Sequence, residues 1–123
     1  MILADTSIWI DFLDRGDPLM AELIAVERIL LHPFVLGEIA LGNIKPRATI
    51  LADLGKLPGV PVANPDELVP FIERCALFGT GVGYVDAHLL ASTLLTRGAR
   101  LWTRDKRLAA AAERLGVAAR PVN

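Results

Sequence analysis

Asp5, Glu38, Asp86 and Asp105 are the acidic residues of this 123-residue chain whose settings could support chemistry. Asp5 ends the apolar run Ile2-Leu3-Ala4 and is followed by two hydroxyls, Thr6 and Ser7. Such a run reads as a buried parallel strand, and ligands of open α/β sheets collect just outside the carboxyl ends of their strands. Asp105 repeats the pattern after Arg100-Leu101-Trp102-Thr103, while Asp86 falls in the first turn of a helix that follows the loop Gly79-Thr80-Gly81-Val82-Gly83. Glu38 is the only charge between Phe34 and Gly42, and burying an unpaired carboxylate is costly. Each acid also has a plainer use: Asp5 alone would serve as a helix N-cap.

Strand ends and helix starts share one edge of a right-handed parallel layer, which is where four carboxylates would meet. Two of them about 4 Å apart repel by roughly 4 kcal/mol at an effective dielectric near 20. A hard divalent cation relieves this, and Mg²⁺ or Mn²⁺ prefers carboxylates and water. Such ions serve phosphodiester cleavage by lowering the pKa of a bound water and stabilising attacking and leaving oxygens. His32 and His88, the two histidines, suit structural or exposed roles better than a zinc site.

The elements that must position these acids alternate. Strands are expected at Ile2–Ala4, Arg28–His32, Val60–Ala63, Arg100–Thr103 and Val117–Ala119, with Pro61 favouring an edge. Helices are expected at Ser7–Leu13, Pro18–Glu27, from Phe34 to Gly42, Pro46–Gly55, Pro65–Phe78, Tyr84–Thr96 and Lys106–Leu115. Asn64, Asp66 and Glu67 suit the start of the fifth. The Gly79–Gly83 run is a weak dinucleotide signal because it follows a helix, and it reads better as a flexible connection. Alternation of strand and helix predicts a single α/β domain over residues 1–123, a three-layer α/β/α sandwich with a mainly parallel central sheet.

Composition bounds the rest. An apolar fraction of 53% is high for a domain of this length, so apolar surface beyond the core is expected to meet a partner or a second copy. No run approaches the roughly 18 apolar residues of a membrane span, and the start lacks a basic leader region, so the cytoplasm is the expected location. The lone Cys75 excludes an internal disulfide and reads as a small core residue. A net charge of −1 hides an acidic N-terminal segment and a basic C-terminal one. Arg104, Lys106 and Arg107 flank the last acid and are candidates for phosphate contacts, with a solvated helix face as the plainer reading.

Asp5-Thr6-Ser7 after an apolar strand, Glu38 in Val35-Leu36-Gly37-Glu38-Ile39, Tyr84-Val85-Asp86-Ala87 and Leu101-Trp102-Thr103-Arg104-Asp105 together resemble the PIN-domain ribonucleases. They resemble in particular the VapC-type toxins of bacterial toxin-antitoxin pairs. The resemblance covers the whole chain in order, and it implies Mg²⁺- or Mn²⁺-dependent endonucleolytic cleavage of RNA. It also implies a homodimer and inhibition by a cognate antitoxin. Asp5, Glu38, Asp86 and Asp105 fall at the family's acidic metal site; Thr6, Ser7 and Thr103 fall where supporting hydroxyls stand.

Other α/β readings fit less well. A phosphoacceptor receiver domain would show paired acids after the first strand and an Asp after a middle one, where this chain has Asn64. A dehalogenase-type phosphatase needs Asp-x-Asp in place of Asp5-Thr6-Ser7. The alternative from another class is a catalytically silent PIN-like module acting through its partner surface.

Overall fold

Leu3 and Ala4, Ile29 and Leu30, and Leu101 and Trp102 are neighbouring pairs in which both members are buried. Successive strand residues point to opposite faces, so both faces of the sheet they form must be covered, as the α/β/α reading requires. The computed structural model describes residues 1–120. In chain order they form β1 (Ile2–Ala4), α1 (Thr6–Arg15), α2 (Pro18–Ala25), β2 (Ile29–Leu30), α3 (Pro33–Leu41), α4 (Arg47–Leu54), α5 (Pro65–Arg74), α6 (Tyr84–Leu95), β3 (Arg100–Trp102) and α7 (Lys106–Arg114). The three strands lie in the order β2-β1-β3, all parallel, with Ala4 opposite Trp102. Helix dominates the fold, and the sheet is short.

Helix starts carry their caps locally. Asp17 accepts from the N–H groups of Leu19 and Met20, and Asn64 and Glu67 form a reciprocal capping box at α5. Pro18, Pro33 and Pro65 occupy first helical turns, where a missing N–H costs nothing. Around the sheet, α1 lies against α3, α5 against α6, and both α6 and α7 against β3.

Three expected elements differ. Val60–Ala63 makes no ladder: the only pairing there is an isolated bridge between Gly59 and Leu31, and Pro61 has no N–H to donate onward. The fifth helix stops at Arg74 rather than Phe78 because Ala76 turns left-handed, with φ 50°. The Leu77 N–H then closes onto the Ile72 carbonyl, as in a Schellman ending that usually uses glycine. At the C-terminal end, Val117–Ala119 contributes one bridge, Ala118 to Leu101, instead of a strand.

Candidate metal and nuclease site

Asp5 stands one residue past β1, where its N–H donates to the Trp102 carbonyl at 3.0 Å, so the ends of β1 and β3 are tied at the level of the site. Its carboxylate is buried and fully engaged. Oδ1 accepts from the Ser7 hydroxyl (2.5 Å) and the Ile8 N–H (3.1 Å), and Oδ2 accepts from the Thr103 hydroxyl. The cap and the strand-end site are thus the same group. Thr103 Oγ1 in turn accepts from the Asp105 N–H at 3.0 Å, which fixes the turn into α7. Asp105 caps α7 through Oδ1, accepting from Arg107 N–H (2.9 Å) and Leu108 N–H (3.0 Å). From the other side, the Thr6 hydroxyl donates to Glu38 Oε1 at 3.0 Å and links α1 to α3.

Asp86, in the first turn of α6, reports the convergence. Burial first, then the fields of Asp5, Asp105 and Glu38, push its carboxyl from 3.8 up to about 6. Asp5, Asp105 and Glu38 therefore each act on Asp86. All the donors are hard carboxylate oxygens, which suit Mg²⁺ or Mn²⁺. Among the described residues no trio of Asp, Glu, His or Cys side chains stands in closed ligating geometry. The carboxylates share a field without forming a closed shell. The donor chemistry fits the ion.

The flanking cations divide. Arg104 is spoken for: its Nε lies 2.6 Å from Asp11 Oδ2 and its Nη2 3.6 Å from Asp17 Oδ2, strapping the β3–α7 turn to α1 and to the cap of α2. Lys106 and Arg107 are exposed and line a groove beside α7 with Thr80 and Arg114. The sequence offered no reason to single out Arg114 or Thr80, because their nearness to Arg107 depends on how the 79–83 loop returns to α7.

His32 and His88 are both buried. His32 Nδ1 accepts from Phe34 N–H at 3.0 Å and so caps α3; that bond leaves its proton on Nε2, which has no partner among the described residues, as is also true of His88 Nδ1. Their ring centroids lie 6.3 Å apart, with Phe34 packed edge-on to both. Burial, helped by His88, lowers His32 to about 4, and burial lowers His88 as well. Both histidines are neutral core groups.

A short parallel sheet with acids gathered at its carboxyl edge is the architecture of a PIN domain, and the family model for the PIN domain matches residues 2–114. The chain belongs to that family. Among its relatives is Ribonuclease VapC32 of Mycobacterium tuberculosis, found in two strains. It is 48% identical over 118 residues, covering 96% of this chain and 95% of the relative. The crystal structure of PAE2754 from Pyrobaculum aerophilum is similar in fold, with a TM-score of 0.57 over 93% of this chain and 85% of that one, at 17% identity.

Proposed function

We propose that this chain, working as one domain over residues 1–123, is a toxin-type endoribonuclease that hydrolyses RNA phosphodiester bonds with Mg²⁺ or Mn²⁺ held by Asp5, Glu38, Asp86 and Asp105. The carrying observation is the likeness to a VapC ribonuclease over nearly the whole chain; the Thr103 hydroxyl that joins Asp5 to the Asp105 turn and the Asp86 carboxyl, raised by burial and then by the three other acids, support the same reading. The ion's part would be to acidify a water and offset charge developing on the phosphate. Asp5, locked by Ser7, Ile8 and Thr103, holds one carboxylate in a fixed direction. Glu38, exposed and steadied by the Thr6 hydroxyl, would ligate the ion or orient the attacking water. Lys106 and Arg107 contact RNA phosphates, whereas Arg104 acts through its ion pairs by holding the Thr103–Asp105 turn.

Its partners are RNA, a cognate antitoxin and a second copy of the chain. Leu41, Phe78, Leu94 and Leu95 are exposed and leave apolar surface for the protein partners. Among the described residues no helix is long and apolar enough to cross a membrane, and action in the cytoplasm follows from the RNA substrate.

The test is cleavage of a mixed RNA pool by antitoxin-free protein with Mn²⁺ or Mg²⁺, with EDTA, and with Asp5→Asn. Fragments that need metal and disappear in the variant are expected. Metal-independent cleavage that survives Asp5→Asn would exclude this chemistry, and complete inactivity would favour the silent binding module.

A further inference from the structure

Beside the carboxylate edge, α7 and the loop before α6 enclose a groove of about 380 Å³ lined by Thr80, Lys106, Arg107, Ala110, Ala111 and Arg114. Three of its six lining residues are cations and none is acidic. Among the described residues, none of the three cations forms an ion pair; of the acids next to them in sequence, Asp105 caps α7 through Oδ1 and Glu113 is paired with Arg120. The loop closes tightly on Arg107: a Cβ on Gly81 would stand 2.7 Å from Arg107 Cδ, and Gly81 has φ +86°, so this position admits bare backbone against the arginine stem. Arg114 donates to the Ala76 carbonyl at 3.4 Å, which turns it toward the loop side.

We infer that this groove is a binding site for the sugar-phosphate backbone of single-stranded RNA flanking the cleaved bond, with Arg107 and Arg114 as its phosphate contacts and Thr80 on the opposite wall. Lys106 and Arg107 directly follow Asp105, so the groove opens at the carboxylates and leads away from them. Arg107 and Arg114 are seven residues apart on one face of α7, roughly 10 Å along the axis, more than one phosphate step, so they suit phosphates on either side of an intervening nucleotide of one strand. Ala110 and Ala111 between them leave room for the sugars. An acidic protein segment matches the charge but not the continuity with the cleavage edge. The inference rests on the nuclease reading for the identity of the ligand, and binding can be measured without cleavage.

Fluorescence anisotropy in EDTA with a labelled long oligouridylate and a labelled trinucleotide supplies the test, on the wild type, Arg114→Gln, the Arg107→Gln/Arg114→Gln pair and the surface control Arg97→Gln. The double variant is expected to bind the long oligomer several-fold more weakly, to lose less on the trinucleotide, and to show a salt slope smaller by about 0.7 per lost phosphate contact. Equal affinity and slope in the double variant and the wild type would overturn the groove, as would an equal loss in Arg97→Gln. Selective loss of polyglutamate binding with RNA binding intact would also overturn it, in favour of a protein ligand. Absence of metal-dependent cleavage by wild type that binds RNA through these arginines would count against the nuclease reading alone.

Discussion

Every oxygen of Asp5 is used by the fold, so substitutions there separate folding from chemistry. Asp5→Asn keeps an acceptor for the Ile8 N–H, and the hydroxyls of Ser7 and Thr103 can turn to meet an amide; a stability change within about 1 kcal/mol is expected. Asp5→Ala removes the cap and is expected to cost about 0.5–2 kcal/mol. Thermal unfolding compares the two, while RNA cleavage should be lost in both. Asp86 gives the opposite sign. Its folded pKa, about 6, lies above the ordinary 3.8, so the folded metal-free protein binds the proton more tightly and loses stability as pH rises from about 4 to 6. Asp86→Asn removes that loss. It should stabilise the metal-free protein at pH 7 by on the order of 2 kcal/mol, with the difference gone by pH 3 in denaturant melts.

The element layer responds to pH in the reverse direction. His32 is buried, caps α3 and titrates near 4 instead of 6.5, so the unfolded chain takes up its proton first and stability falls as pH drops from about 6.5 to 4. The loss reaches up to about 3 kcal/mol. His32→Ala should erase this slope while lowering stability at pH 7 by about 2–4 kcal/mol, through the lost cap and the cavity, measurable by urea unfolding across pH. Much of this element layer was legible in sequence. Ile2–Ala4 and the start of α5 followed from an apolar run and from Asn64, Asp66 and Glu67, and α2 and α7 begin at Pro18 and Lys106 as the sequence reading expected. The early end of α5 was not legible, because alanine at 76 gives no sign of the left-handed turn it adopts. Nor was the strap: Arg104 read as a phosphate contact because Asp11 and Asp17 are distant in sequence and meet it only once α1 and α2 fold back. The two histidines also defied sequence reading in detail, since a cap at His32 depends on its backbone leading into Pro33.

Across the whole molecule, Asp5, Glu38 and Asp105, far apart in sequence, all act on the Asp86 carboxyl, and the cation proposed above would relieve that repulsion. A ligand that binds only the folded state stabilises it by about 2.7 kcal/mol at 100 times its Kd, so Mn²⁺ should raise the melting temperature of the wild type and leave Asp5→Asn nearly unmoved. The apolar surface at Leu41, Phe78, Leu94 and Leu95 belongs to the same scale and bears on assembly, which sedimentation of the free protein would read. The central claim is that Asp5, Glu38, Asp86 and Asp105 form one cation site, and calorimetric titration of Mn²⁺ into the wild type, Asp5→Asn, Glu38→Gln, Asp86→Asn and Asp105→Asn addresses it most directly. The account predicts saturable binding by the wild type that each substitution weakens or abolishes; Mn²⁺ binding unchanged in all four variants would contradict it.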